Sequence, residues 1–212
     1  MIYIQSFTFN DFQENTYILF DETKEAIIID AGCFYENEKH ELSDFIVSKK
    51  LKPVKLINTH CHIDHVLGNE YCAKKYDLKL YLHKDELKTY SDAEKWTAMF
   101  GIPPLTQPQI IEFIDENSIV NFGNSELSIL STPGHSVASI SFYNKAQNFV
   151  IAGDVLFRQS IGRTDLPGGN FDVLISSIKN KIFTLPDETI VYSGHGIETT
   201  VGYEKTHNPF LQ

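Results

Sequence analysis

Three histidines and an aspartate stand within six consecutive residues, His60-Cys61-His62-Ile63-Asp64-His65. They follow an apolar, β-like stretch, Val54-Lys55-Leu56-Ile57-Asn58, and three further stretches repeat that design. Leu127-Ser128-Ile129-Leu130 leads through Thr132-Pro133-Gly134 into His135. Phe149-Val150-Ile151-Ala152 leads through Gly153 into Asp154, and Thr189-Ile190-Val191-Tyr192 leads through Ser193-Gly194 into His195. A strand, a tight turn and a potential metal ligand, four times over, leave few folds open, because the four strand ends have to converge. Glycine before three of the ligands lets the backbone turn sharply and approach closely. Ligands at strand ends are also held by rigid elements, as metal geometry demands.

Seven groups become available in this way: His60, His62, Asp64, His65, His135, Asp154 and His195. Five imidazoles and two carboxylates suit zinc or iron and are too rich in nitrogen for calcium or magnesium. Seven donors are too many for one tetrahedral ion. A bridging carboxylate would divide them into two sets of four with one shared, which points to two divalent metals. Closed structural zinc sites draw heavily on cysteine, and here Cys61 lies between two ligands and is expected to point away from them. Open coordination positions hold water, which implies catalysis. Asp154 taken alone reads equally well as a capping residue. His40, His83 and His207 read as ordinary core or surface histidines.

The 212 residues suffice for one compact domain. Hydrophobic residues at 42% and charged residues at 22% exclude a disordered or fibrous chain. A net charge of −10 repels phosphate backbones, so neither nucleic acid nor an anionic membrane is an expected partner. No apolar run approaches the ~20 residues of a bilayer crossing. The first residues lack a cationic segment followed by an apolar one, so a cytoplasmic location is the default. Cys33, Cys61 and Cys72, without a Cys-x-x-Cys spacing, read as reduced, mostly buried thiols. The 15 Phe and 10 Tyr leave room for an apolar dimer surface, so monomer and homodimer both stay open.

Periodicity predicts strands at 2–9, 15–20, 25–30 and 54–58, with a helix over 36–50 carrying Leu42, Phe45, Ile46 and Leu51 on one face. A helix at 69–76, a strand at 78–82 and a helix within 84–110 that runs into a Pro-containing connector follow. Strands then recur near 118–122, 126–131, 138–143, 148–152 and 189–192, with helices at 170–183 and from Ile197. Two successive sets of strands and helices suggest two sheet-plus-helix halves packed together, an α/β layered fold.

Thr59-His60-Cys61-His62-Ile63-Asp64-His65 resembles the signature of the metallo-β-lactamase fold superfamily. The resemblance extends to Asn15-Thr16-Tyr17-Ile18-Leu19, Asp30-Ala31-Gly32, Pro133-Gly134-His135-Ser136, Gly153-Asp154-Val155-Leu156-Phe157 and Ser193-Gly194-His195-Gly196. It implies a four-layer αβ/βα sandwich of two mixed β-sheets flanked by helices, with the metals at the sheet edge. It also implies His60, His62 and His135 on the first metal, Asp64, His65 and His195 on the second, and Asp154 bridging. Within the superfamily the chain looks most like the short, glyoxalase II-like (hydroxyacylglutathione hydrolase-like) subgroup. Leu156 to Gly169 and Gly202 to Phe210 carry that likeness. Arg163 matches a basic residue that contacts glutathione in the family, and an Arg163–Asp165 ion pair bracing the loop is the alternative. Type II glyoxalases carry tyrosines where this chain has Asp165 and Ile197, and add a C-terminal helical domain where this chain reaches Gln212. The expectation is therefore one domain over 1–212, with glutathione recognition left open.

Two divalent ions ~3.5–4 Å apart, zinc first with iron or manganese also fitting, would lower the pKa of a shared water to about 7. The resulting hydroxide would attack the acyl carbonyl of a small-molecule thioester such as S-lactoylglutathione. A thiol of pKa about 8.5 can leave without a proton donor, while Asp64 is the candidate proton shuttle. Asp30 is expected either to accept a hydrogen bond from a ligand histidine or to cap its turn. An iron-dependent persulfide dioxygenase of the same fold, sharing a Gly-Arg-Thr-Asp loop, is the alternative reaction. A nuclease and a non-catalytic, metal-stabilised module are weaker ones. Trp96, Met99 and Phe100 belong either to the core or to a lid over the substrate.

Overall fold

Strands whose alternate residues are apolar on both faces need cover on both sides, and the chain supplies it with four layers. The computed structural model describes residues 1–212. Strands β1 (Tyr3–Phe9), β2 (Glu14–Phe20) and β3 (Glu25–Ile29) form an antiparallel meander. Helix α1 (Glu36–Ser48) crosses to β4 (Lys52–Ile57), parallel to β3. Helices α2 (Ile63–Val66) and α3 (Asn69–Tyr76) lead to β5 (Leu80–Leu82), and α4 (Leu87–Met99) leads to β6 (Ile111–Phe113). Both crossovers return parallel strands, giving a mixed sheet in the order β1-β2-β3-β4-β5-β6.

The second half begins with β7 (Ile119–Phe122), β8 (Ser125–Ser131), β9 (Ile140–Asn144) and β10 (Phe149–Gly153), paired antiparallel in sequence. A small hairpin of β11 (Leu156–Phe157) and β12 (Ser160–Ile161) precedes α5 (Phe171–Ser177). Then β13 (Ile190–Ser193) returns parallel to β10, followed by β14 (Thr199–Thr200) and α6 (Val201–His207). The second sheet runs β14-β13-β10-β9-β8-β7.

The period of two along each strand sorts side chains between layers. Tyr17, Leu19, Ile27, Ile29 and Ile57 face the space between the sheets, where they meet Leu127, Ile129, Phe142 and Ile151. Their neighbours Ile18, Ala26, Ile28 and Leu56 turn outward into a second core with Leu42, Ile46 and Leu51. On the far side, Val150, Ala152 and Val191 pack with Leu174, Ile178 and Val201. The αβ/βα sandwich implied by the sequence is the architecture found.

Departures from the periodicity are confined to short or irregular elements. The helix expected within 84–110 is a 3-10 turn at Lys84–Glu86 continued by α4, and the Pro-rich connector ends in β6. Helix α6 starts at Val201 rather than Ile197, because Thr199 and Thr200 first pair with β13. Neither β6 nor the two-residue strands β11, β12 and β14 were foreseen: three or two residues cannot establish a period, and only the partner strand defines them. The 170–183 helix is α5 prolonged by one wide turn at Ile178–Ile182. All three cysteines are free and buried, as expected. No helix is long and apolar enough to cross a membrane.

Phe142 is fully buried on β9 at the centre of the inter-sheet core. Phe142→Ala should cost roughly 3–5 kcal/mol of folding stability, read as a lower urea midpoint with an unchanged slope.

Candidate metal centre

Each element that carries a candidate ligand ends at the same edge of the sandwich. Beyond β4 the chain passes Thr59 to His60, and His62 opens α2, whose single turn presents Asp64 and His65. His135 follows the turn after β8, Asp154 follows β10 and His195 follows β13. Because β10 and β13 are parallel, with Ile151 opposite Tyr192 and Gly153 opposite Ser193, they deliver Asp154 and His195 side by side. Gly153 has φ +55°, and a Cβ there would collide with Thr59 Oγ1; at Gly194 one would collide with Asp154 Oδ1. Glycine therefore serves the turn at the first position and close approach at the second.

All seven sequence-derived candidates come together. His60, His62 and His135 bring ring nitrogens into one cluster, and a carboxylate oxygen of Asp64 joins ring nitrogens of His65 and His195 in another. Asp154 lies between them, with Oδ1 3.4 Å from His65 Nε2 and Oδ2 3.5 Å from both His135 Nε2 and His195 Nε2. Asp64 Oδ2 is 3.1 Å from His195 Nε2, and His62 Nδ1 is 2.8 Å from His135 Nε2. Two ring nitrogens turned away from the cluster meet backbone carbonyls. His135 Nδ1 meets the Arg163 carbonyl at 2.7 Å, and His195 Nδ1 meets the Gln13 carbonyl at 3.1 Å. With Nδ1–H donated to a carbonyl, Nε2 keeps its lone pair and faces the cluster.

Asp30 does the same for two more imidazoles. Its Oδ2 accepts from the Thr59 hydroxyl at 2.6 Å and lies 3.1 Å from His65 Nδ1, while Oδ1 accepts the Thr59 N–H at 2.7 Å. The Thr59 hydroxyl proton being given to Asp30, its oxygen is left to accept from His60 Nδ1, 3.0 Å away. Of the two roles expected of Asp30, orienting a histidine is the one found: its carboxylate bonds to Asn58, Thr59 and His65, while the Gly32 N–H of its own turn is taken by Thr16 Oγ1.

Burial and mutual proximity set the charges. Burial, with His65, His62 and His135 nearby, holds the His60 imidazole well below the usual range. Burial beside His135 takes His62 down to about 3. Burial also opposes charge on His195 and His65, yet the carboxylates Asp154 and Asp64 outweigh it. His195 is pushed up to about 10 and His65 is raised well above its ordinary value. Asp154 and Asp64 are desolvated, but His65 and His195 hold both below the usual carboxylate range.

His60 Nε2, His65 Nε2 and Asp154 Oδ1 are buried and have no hydrogen-bond partner. A buried polar atom left unpaired costs about 1–3 kcal/mol, so three in one cluster mark a place shaped for another species. Nitrogen and carboxylate donors aimed inward fit divalent transition metals. The donor set can hold such ions, and the orphaned atoms are those that a cation would satisfy.

Cys61 is buried in the core away from the donors. His40 and His207 are exposed, while His83 caps the 3-10 turn by accepting from Asp85 N–H. Arg163 forks onto Asp165 at 2.7 and 2.8 Å and also borders the cleft. Helix α4 divides its faces: Tyr90 and Ala93 are core, and Trp96 and Phe100 border the cleft. Two supports escaped the sequence reading. Glu86, fully buried, accepts from Cys61 N–H, Ala138 N–H and the Ser136 hydroxyl, and so ties two ligand loops to the start of α4. Asn10 donates from Nδ2 to the carbonyls of Gly32 and Asp64. Neither stands in a recognisable motif, and Glu86, flanked by Lys84, Asp85 and Lys88, reads in the sequence as one more surface charge.

A family model for the metallo-beta-lactamase superfamily matches residues 9–195. The chain is 40% identical over 200 residues to the "Probable metallo-hydrolase YqgX" of Bacillus subtilis (strain 168), covering 94% of this chain and 92% of that protein. It is 34% identical over 203 residues to the "Hydroxyacylglutathione hydrolase GloC" of Haemophilus influenzae, covering 94% and 93% respectively. The crystal structure of TTHA1623 in a di-iron-bound form superposes with a TM-score of 0.88 at 34% identity, covering 98% of this chain and all of that one.

Asp30→Asn keeps the shape but gives His65 and Thr59 a weaker acceptor. Metal affinity should fall about 10–100-fold, measured by competition with a chromogenic chelator. Loading at a hundred times the dissociation constant should stabilise the wild-type fold by about 2.7 kcal/mol, seen as a rise in Tm that a chelator reverses.

Proposed function

The chain belongs to the metallo-beta-lactamase superfamily, and from that premise we propose that it is a binuclear metal-dependent hydrolase of thioesters. The observation that carries this reading is the position of Asp154 between two donor sets, with its oxygens within 3.5 Å of His65, His135 and His195. His60, His62 and His135 would hold one ion, Asp64, His65 and His195 the other, with Asp154 shared. Two ions so held would polarise an acyl carbonyl and lower the pKa of water toward ~7.

The protein's own groups fix the rest of the chemistry. Water adds to the acyl carbon, the C–S bond breaks, and the products are a carboxylic acid and a thiol. Asp64, whose Oδ2 lies 3.1 Å from His195 Nε2, would be the group that takes up the proton the attacking water loses. The departing sulfur, with a thiol pKa of about 8.5, needs no acid to leave, whereas an amide nitrogen does. Beyond the clustered ligands, the cleft's ionisable side chains are Asp85, Lys88, Asp92 and Arg163. Lys88 and Arg163 are each bound to a carboxylate, which disfavours them as proton donors. That supports a thioester over an amide. Zinc, iron and manganese all suit the donors, and the di-iron form of TTHA1623 supports iron among them.

Metal analysis coupled to a thioester panel tests the proposal. Two divalent ions per chain and thioester hydrolysis are expected. His62→Ala should lower turnover by more than about a hundredfold, beyond what loss of a supporting residue costs, with an unchanged circular dichroism spectrum. Rapid oxygen uptake with a persulfide and one iron per chain would instead establish the dioxygenase, and unfolding on metal removal would favour a structural role.

A further inference from the structure

The cleft over the histidine cluster has a volume of ≈ 640 Å³, the size that takes a small organic ligand. Two separate elements raise an aromatic wall along it. Phe12 comes from the β1–β2 connection, Trp96 from α4 and Phe100 from its end. Phe12 and Phe100 meet edge to face with centroids 5.1 Å apart, and Trp96 lies 6.4 Å from Phe100. Core packing does not consume these rings: Phe100 is 47% exposed, and Phe12 and Trp96 are half-buried. From the β12 side, Ile161 and Leu166 complete an apolar lining.

The charges along the rim are already matched within the chain. Arg163 Nε and Nη2 lie 2.7 and 2.8 Å from the two oxygens of Asp165. Lys88 Nζ is 2.6 Å from Asp92, whose other oxygen pairs with Lys95. Asp85 adds a further carboxylate to the lining, on a chain of net charge −10. A ligand carboxylate meeting Arg163 or Lys88 would find a cation whose charge a neighbouring carboxylate already balances, so the Coulombic gain is small. A glutathione conjugate carries two carboxylates and one ammonium, so it meets an acidic field in which both lining cations, Lys88 and Arg163, already have a carboxylate partner.

We propose that this cleft selects uncharged thioesters bearing an aryl or branched-alkyl group, seated on Phe12, Trp96 and Phe100, and discriminates against glutathione conjugates. The inference rests on the thioester-hydrolase reading for the identity of the reacting bond. The aromatic wall supplies stacking and apolar burial, and the charge-balanced rim gives an anionic thiol little added attraction.

Trp96 is the only tryptophan in the sequence, so its fluorescence reports occupancy of this wall directly. Zinc-loaded protein is titrated with S-benzyl-N-acetylcysteamine and with S-benzylglutathione, two unreactive thioethers that share the benzyl group and differ in charge. The uncharged probe should change the Trp96 emission and bind at least about tenfold more tightly, and Phe100→Ala should weaken it severalfold. In turnover, phenylacetyl-N-acetylcysteamine should exceed phenylacetylglutathione in kcat/KM by about tenfold, and Phe100→Ala should raise KM while sparing kcat. Equal or tighter binding of S-benzylglutathione, or a Trp96 signal blind to both probes, overturns the inference. If neither thioester is cleaved while the uncharged probe still binds preferentially, the apolar selectivity stands and the hydrolase reading falls. A preference for the glutathione thioester leaves the hydrolase standing and removes the selectivity.

Discussion

One buried carboxylate organises the edge at which the donors meet. Asp30, in a left-handed conformation at φ +52° just past β3, is only 1% exposed and collects the backbone and hydroxyl of Thr59 together with His65. Through Thr59 it reaches His60 as well. A single anion thus sets the orientation of two imidazoles from neighbouring elements, and both turn Nε2 toward the same small volume. A non-glycine residue at positive φ and three unpaired polar atoms are expensive features. They persist because the surrounding framework permits no relaxation and because a cation satisfies what the protein leaves open.

That framework is stiff because its strands are covered on both faces. The sheets are also stitched together beside the donors. Ile140 N–H donates to the Thr59 carbonyl, and Asn15 N–H donates to the Gly194 carbonyl. The Tyr17 hydroxyl reaches the Ser193 carbonyl at 2.6 Å. The Asn15-Thr16-Tyr17 segment, polar within an otherwise apolar strand, therefore pins the loop that carries His195. Its Asn15 Nδ2 adds bonds to the Ser193 and Gly196 carbonyls. The catalytic reading and the stability of the sandwich consequently share the same side chains.

Much of this was legible in one dimension. The run from His60 to His65 and the repeated strand–turn–ligand pattern named the seven side chains that meet at this edge, since buried strands advertise themselves through uninterrupted Val, Ile and Phe and since His and Asp are rarely buried without a reason. Asp30 was legible too, through its place after a strand and before Ala31-Gly32. Glu86 and Asn10 were not, because their partners lie 25 and 54 residues away in Cys61 and Asp64, and sequence spacing carries no trace of such contacts. The strands β6, β11, β12 and β14 escape for a different reason: two or three residues show no period.

By itself, the order of residues determined the layered α/β class, the donor inventory and the acidity of the surface. These follow from local periodicity, residue chemistry and simple addition. Tertiary structure alone decided that Asp154 lies between two donor sets, and that Trp96 and Phe100 face the cleft while Tyr90 and Ala93 go to the core. Those outcomes depend on distances between segments remote in the chain. The entropy of closing such loops is overcome only by the cooperative burial of both sheets, which no local pattern encodes.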